Sequence, residues 1–175
     1  GHTEFASYHA FSFAPENMPL EQRAKQIREA VAESVKAHEI SDVEVGSFLS
    51  GGIDSSVIAA LSRPDKTYSV GFENRDFDET GEAKALCREL GLRNISKTIS
   101  AEEFFSALPA VQYYADEPNA NLSTVPLYFL SQLAAKDVKV VLSGEGADEL
   151  FGGYITYHTT KPYRSVSYTH LRAHE

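Results

Sequence analysis

Hydrophobic and polar positions along the chain follow two periods, and the period changes from segment to segment. Between Leu20 and His38 the apolar side chains recur at steps of three and four, which is the spacing of an amphipathic helix. Residues 43–49 are apolar and rich in β-branched side chains, and a glycine pair separates them from a second apolar run at 57–61. This order predicts a helix, a strand, a tight loop and another helix.

The alternation of strand and helix continues through the middle of the chain. Residues 67–72 and 94–99 have the composition of strands. The segment between them carries a helical stripe that includes Cys87 and ends at Gly91, a residue type typical of helix C-caps. Cys87 is therefore expected to be a buried core residue, and as the single cysteine it cannot form an internal disulfide.

Two more helices and a last strand complete the pattern. Ser100 and Glu103 have the spacing of a capping box, and Pro109 is expected to kink or shorten the helix that follows them. A further helix is predicted at about 124–135 and a strand at 139–142.

Strands that alternate with helices predict an α/β fold of three layers, in which helices cover both faces of a mostly parallel, twisted sheet. Ligands of such folds bind beyond the carboxyl ends of the strands. Residues 50–56 and 143–154 are both rich in glycine and both follow predicted strands. These two segments are therefore the candidate parts of one site.

The charge of the chain excludes some classes of partner. Sixteen Lys and Arg against 25 Asp and Glu leave a formal net charge of -9. This is the wrong sign for a surface that neutralises nucleic-acid or membrane phosphates, so we expect neither partner. The single cysteine favours a reducing, cytoplasmic location.

The first glycine-rich segment, residues 50–56, has the properties of an anion-binding loop. Its glycine pair lets the backbone approach a ligand, and the amides and dipole of the following helix attract negative charge. Asp54 would repel a phosphate unless a divalent cation lay between them, so we interpret it as a magnesium ligand. In a plainer interpretation, Asp54 or Ser55 only caps the helix. The lysine of a Walker loop is absent.

The second segment, residues 143–154, contains four glycines and three carboxylates in twelve positions. Acids this close repel one another unless a cation, a donor or a proton relieves them, which is expected at a functional site. The alternative is a solvated turn with ordinary helix-capping acids. The position of residues 143–154 at a predicted strand end favours the functional interpretation.

These segments carry a resemblance to a known family. Residues 50–55, Ser-Gly-Gly-Ile-Asp-Ser, resemble the PP-loop of the ATP pyrophosphatase superfamily, and residues 143–154 resemble the second signature of asparagine synthetases. The likeness spans about 20–157 and implies an adenine nucleotide alpha hydrolase-like form of the predicted fold. Further positions similar to that family are 115–118, 123–128, Asp78 and Glu79.

The resemblance implies a role for individual residues. Those implied to border the adenosine of ATP are Leu49, Val70, Ser143 and Gly144. Those implied to hold the released pyrophosphate are Ser50, Gly51, Gly52 and Ser55. Asp54 and Asp148 would bind Mg²⁺, and Glu145 would be catalytic, in forming aspartyl-AMP and in taking a proton from ammonia. Crowding by Asp148 and Glu149 is one way to tune the pKa of that carboxylate.

The implied reaction is the ATP-dependent amidation of aspartate to asparagine. The side-chain carboxylate of aspartate attacks the α-phosphorus of ATP, pyrophosphate leaves, and ammonia then displaces AMP from aspartyl-AMP. In full-length relatives of the glutamine-using type, an N-terminal glutaminase domain makes the ammonia. Two alternatives stay open: another acid-adenylating PP-loop amidotransferase, such as a β-lactam synthetase-like enzyme, and a nucleotide-binding fragment without turnover.

We expect the chain to be a piece of a longer protein. It lacks the glutaminase domain, the expected partner in cis, and the helical portion with a lysine that follows the second signature in the family. Residues 1–164 are assigned to one truncated ATP-binding synthetase domain, and 165–175 to a foreign or disordered tail. The expected substrates are ATP, aspartate and ammonia, synthesis by the chain alone is expected to be feeble, and a homodimer is left open.

Overall fold

The computed structural model describes residues 2–10, 12 and 14–158. The tail predicted at 165–175 lies outside the described residues, so its assignment stays a prediction. Backbone contacts divide the chain into two units, residues 1–34 and residues 35–175. Helix α1, Leu20–His38, has the predicted bounds. In the first unit, Arg23 Nη2 donates to the Glu16 carbonyl at 2.6 Å, which ties the start of α1 to the segment before it.

The second unit alternates strands and helices. Its strands are β1 Val45–Phe48, β2 Lys66–Phe72, β3 Arg93–Ile99 and β4 Val140–Leu142. Its helices are α2 Ile53–Ser62, α3 Thr80–Leu90, α4 Ala101–Tyr114, α5 Thr124–Ala134, α6 Ala147–Phe151 and α7 Ile155–His158, with a 3-10 helix at Arg75–Phe77. No helix in the described part of the chain is long and apolar enough to cross a membrane.

The four strands form one parallel sheet in the order β3-β2-β1-β4. Ser47 of β1 lies opposite Thr67 of β2 on one side and Leu142 of β4 on the other. The chain adds β2 and β3 on one side of β1 and then returns to place β4 on the other side. The strand order therefore reverses between β1 and β4, and the crevice at such a reversal is where parallel sheets bind ligands.

Helices cover both faces of this sheet, so the predicted fold class is confirmed. On one face, Leu49 packs with Ala59 of α2 and with Ala83 and Cys87 of α3. Cys87 is buried, as predicted. On the other face, α4 and α5 supply two buried clusters together with strand residues. Their buried members are Ile99, Ala107, Val111, Val125 and Phe129 in one, and Tyr68, Ala134 and Val138 in the other.

A buried polar network lies between the sheet and α3 and holds the end of β1. Asn94 Nδ2 donates to Thr67 Oγ1 at 3.0 Å and to Ser69 Oγ at 2.9 Å. Ser69 Oγ donates in turn to the Leu49 carbonyl at 2.6 Å, and both residues are almost fully buried. Buried polar groups need such partners. The network thus fixes the backbone at the point where the first glycine-rich loop begins.

The extent and the number of the helices differ from the sequence-based expectations. Pro109 was expected to kink or shorten α4, but α4 runs through it to Tyr114, so the shortening is wrong. Pro109 and Phe105 are both exposed, and water can take the place of the missing amide at the Phe105 carbonyl. The two short helices α6 and α7 were not predicted. The glycines and acids around α6 obscured its short helical run.

Candidate active site

A cavity of about 320 Å³ lies at the carboxyl ends of β1 and β4, where the strand order reverses. This volume is within the range of small-molecule sites. Every residue predicted for the site lines the cavity except Gly51 and Gly52. The predicted residues in its lining are Leu49, Ser50, Asp54, Ser55, Val70, Ser143, Gly144, Glu145 and Asp148.

The first loop is closed by bonds among its own groups. The Ser50 amide donates to Ser55 Oγ at 3.1 Å, and the Gly52 amide donates to Ser50 Oγ at 3.1 Å. The two hydroxyl oxygens of these serines are 2.9 Å apart. The N-cap of α2 is Gly52, which has no side-chain capping bond, so the plainer interpretation of Asp54 or Ser55 as the helix cap is wrong.

The Gly51 amide has a partner from outside the loop. It donates to Glu79 Oε2 at 3.2 Å, and Glu79 is the N-cap residue immediately before α3. A Cβ at position 51 would lie 3.0 Å from the Cβ atoms of both Glu79 and Glu82. Glycine therefore suits this position, because a Cβ here would be tight against the side chains at the start of α3.

The two glycine-rich loops meet at Gly144. A Cβ at this position would lie 2.7 Å from the Ser55 backbone nitrogen and 3.0 Å from the Asp54 Cβ. No real Cβ approaches a backbone nitrogen so closely, so only glycine allows this contact. The backbone after β4 thus rests directly on the first turn of α2, and the acids of the second loop line the same cavity as Asp54 of the first.

Two glycines bound the helix that carries the acids of the second loop. α6 begins after Gly146 with φ +92° and ends at Gly152 with φ +68°, both in the left-handed region. Asp148 lies in the first turn of α6, and its carboxylate fills the space that a Cβ at Gly153 would need. The Gly153 amide also donates to the Asp148 carbonyl at 2.9 Å.

Some cavity residues were not assigned a role from the sequence. α5 supplies an apolar wall of the cavity. In the sequence, only the similarity of residues 123–128 to the family had connected this helix with the site. The cavity-lining residues near and in α5 are Ser123, Pro126, Leu127 and Leu130. Tyr154, the last residue of the second segment, donates from its hydroxyl to Glu149 Oε1 at 2.8 Å. This hydrogen bond raises the pKa of Tyr154 to about 12.

The cavity is acidic. Its lining contains Asp54, Glu145, Asp148 and Glu149, and no Lys, Arg or His of the described chain is part of that lining. Among the residues that the structure describes, no group of three or more His, Cys, Asp or Glu could hold a metal. The two aspartates predicted as Mg²⁺ ligands, Asp54 and Asp148, both line the cavity. Mg²⁺ is commonly held by one or two carboxylates with phosphate oxygens and water.

A second cavity, of about 330 Å³, lies at the opposite ends of the strands. Its lining includes Val45 at the start of β1 and Pro64 just before β2. None of the predicted site residues borders it. Parallel sheets bind ligands at their carboxyl ends, so this cavity is not the candidate site.

Comparisons with known proteins show the family of the chain. The family model described as asparagine synthase matches residues 26–173. The glutamine-hydrolysing asparagine synthetase 1 of Bacillus subtilis (strain 168) is 45% identical over 173 residues, which cover 95% of this chain and 27% of that protein. The glutamine-hydrolysing asparagine synthetase B of Escherichia coli (strain K12) is 30% identical over 152 residues, covering 76% of this chain and 27% of that protein.

The chain spans about a quarter of the length of these relatives. Among solved structures, the NH3-dependent NAD synthetase of Campylobacter jejuni matches with a TM-score of 0.42 and 23% identity. That match covers 79% of this chain and 62% of the other.

Proposed function

Since the chain belongs to the asparagine synthase family, we propose that it is the ATP-binding part of a ligase that converts aspartate to asparagine through aspartyl-AMP. One observation carries the proposal: the backbone at Gly144 rests on Asp54 and Ser55, which joins two glycine-rich loops at one cavity. A loop at a helix N-terminus attracts phosphate, and an acidic loop facing it can hold the cation that accompanies ATP.

We assign the parts of ATP to different groups at and beside the cavity. Leu49 and Val70 give it apolar surface at the ends of β1 and β2, which suits the adenine ring, and Ser143 and Gly144 border the same space. The loop formed by Ser50, Gly51, Gly52 and Ser55 offers amides and hydroxyls for the departing pyrophosphate.

Asp54 and Asp148 would hold Mg²⁺, which when bound offsets the charge of the phosphates. Loop amides and hydroxyls fix the position of the leaving group, and this is the larger part of what a protein contributes to phosphoryl chemistry. Glu145 lines the cavity beside Gly144 and is exposed to it. We assign it the role of accepting a proton from ammonia as the amide bond forms.

Ammonia reaches this site from outside the chain. The relatives are named for glutamine hydrolysis, and we propose that a glutaminase domain of the longer protein releases ammonia to the cavity. We place the reaction in the cytoplasm, where ATP and aspartate are available.

Calorimetry tests the nucleotide site. The chain should bind Mg-ATP, and Asp54→Ala should weaken that binding by about tenfold or more, because the phosphates then face unscreened carboxylates. Asp42→Ala, in an exposed position before β1, is the matched control and should leave binding unchanged. Absence of heat with Mg-ATP, or equal affinities for the chain and Asp54→Ala, would contradict the assignment.

ATP-pyrophosphate exchange tests the substrate. In a full-length relative that carries the same two loops, aspartate should support exchange and glutamate should not. Exchange with a different acid and none with aspartate would show that this is another adenylating ligase.

A further inference from the structure

The first three amides of the first loop, those of Ser50, Gly51 and Gly52, each donate a hydrogen bond to a side chain. The amides of Ser50 and Gly52 donate to the hydroxyls of Ser55 and Ser50. The Gly51 amide donates to a carboxylate, that of Glu79, at 3.2 Å. A phosphate that binds these three amides must therefore displace partners that the protein itself supplies.

The two kinds of partner differ in what they do when a phosphate arrives. A serine hydroxyl can rotate and donate to a phosphate oxygen, so Ser50 and Ser55 can change from acceptors to donors. An ionised carboxylate only accepts and carries the same sign of charge as the phosphate. Among the partners of the Ser50, Gly51 and Gly52 amides, Glu79 is thus the one that opposes a phosphate.

The backbone around Glu79 is anchored while its side chain is exposed. Asp78 fills the space left by the missing Cβ of Gly71, and its Oδ1 accepts from the Thr80 amide at 3.1 Å. Thr80 is buried, with 6% of its surface exposed. The position of Glu79 is therefore fixed from both neighbours, and its exposed side chain can leave Gly51 without moving α3.

We propose that Glu79 is an internal competitor of the phosphate ligand: its carboxylate occupies the Gly51 amide in the nucleotide-free protein and must leave when pyrophosphate is held. The inference rests on the proposed function of the loop and adds a residue that sets the affinity of the loop for its product. Weaker product binding favours release of pyrophosphate after adenylation.

Titration of the full chain with magnesium pyrophosphate in a calorimeter tests the competition. Glu79→Ala and Glu79→Gln should both bind pyrophosphate roughly threefold or more tightly than the unchanged chain, the size expected for an exposed charge interaction. A purely structural role predicts the opposite sign for Glu79→Ala, and it predicts that Gln, which keeps an acceptor, behaves like Glu. Circular dichroism confirms that the variants are folded.

Glu82→Gln is the matched control. The Cβ of Glu82 is as close to position 51 as that of Glu79, and replacing either carboxylate changes the net charge equally. The Gly51 amide, however, donates to Glu79. The control should bind pyrophosphate like the unchanged chain. An equal gain in pyrophosphate affinity in Glu82→Gln would overturn the role of Glu79. No gain in either Glu79 variant, while Mg-ATP still binds, would do the same and would leave the proposed function standing. If no protein in the series binds pyrophosphate or Mg-ATP, the proposed function fails as well.

Discussion

At the scale of single residues, the absence of one Cβ decides whether the two loops can meet. In Gly144→Ala the new methyl would collide with the backbone of Ser55 and Asp54, and the loops would have to separate. Overpacking of this kind costs about 1–3 kcal/mol. We expect Mg-ATP binding to weaken by about tenfold or more, which calorimetry would measure.

Gly81→Ala is the control for that substitution. Gly81 lies in α3, and a Cβ there meets nothing within 4 Å. Alanine is the better helix former, so this variant should bind Mg-ATP normally and unfold at a slightly higher temperature. If Gly144→Ala bound the nucleotide equally well, the contact between the loops would not matter for the site.

The pair Tyr154 and Glu149 gives a prediction about ionisation. The phenol donates to the carboxylate, which raises the pKa of Tyr154 to about 12. As the pH rises through that value the phenol loses its proton and the bond is lost. Glu149→Gln should bring the pKa of Tyr154 back towards its ordinary value of 10.0.

Phenolate absorbance measures this change. Subtracting the titration of Tyr154→Phe isolates the contribution of Tyr154 from those of the other tyrosines. An unchanged Tyr154 titration in Glu149→Gln would mean that the carboxylate does not hold the phenol in solution.

At the scale of elements, the start of α4 is determined by local bonds. Ser100 Oγ accepts from the Glu103 amide at 3.1 Å, and Glu103 Oε2 accepts from the Ser100 amide at 3.0 Å, which is the predicted capping box. Tertiary structure adds Lys97 of β3, which donates to Glu103 Oε1 at 2.6 Å. The hydrogen bond from Lys97 and then that from the Ser100 backbone lower the pKa of Glu103 below its ordinary value of 4.5.

The ionisation of Glu103 makes the stability of the fold depend on pH. Because the folded pKa of Glu103 is lowered, its contribution to stability is present above pH 4.5 and is lost as the pH falls through the folded pKa. Glu103→Gln should therefore lower the urea midpoint at about pH 7, and the difference from the unchanged chain should shrink at about pH 3.

Glu102→Gln, one position earlier in the first turn of α4, is the control and should show little of this difference. A difference in urea midpoint that stayed constant between the two pH values would contradict the role of the Glu103 charge.

At the scale of the whole molecule, the balance of charge at the cavity limits what this chain can do. Four carboxylates line it and no Lys, Arg or His of the described residues does. Adenylation builds up negative charge on the phosphates, and fixed positive groups normally stabilise that charge. We expect the chain to bind Mg-ATP but to release pyrophosphate in response to aspartate only feebly.

A coupled assay for pyrophosphate with and without aspartate measures this activity. A full-length relative is the positive control, and the same assay after chelation of magnesium gives the background. Robust aspartate-dependent release by the chain alone would refute the expectation and would mean that the acidic cavity needs no cationic residue from elsewhere.

The sequence by itself determined the alternation of strands and helices, the helix cap at Gly91 and the capping box at Ser100, because these depend on residues within one or two turns of one another. Both glycine-rich loops could also be recognised in the sequence, because the residues of each lie close together along the chain. Strand ends moved by only one or two positions, since the apolar runs that predict strands fade gradually at their ends.

Only the tertiary structure decided that Gly144 lies on Ser55, that Glu79 reaches Gly51 and that α5 forms a wall of the cavity. These contacts join residues far apart in the chain, and they follow from the strand order, in which β1 pairs with β2 on one side and with β4 on the other. No local periodicity records which strand will be a neighbour of which, because pairing is settled by the packing of the whole sheet.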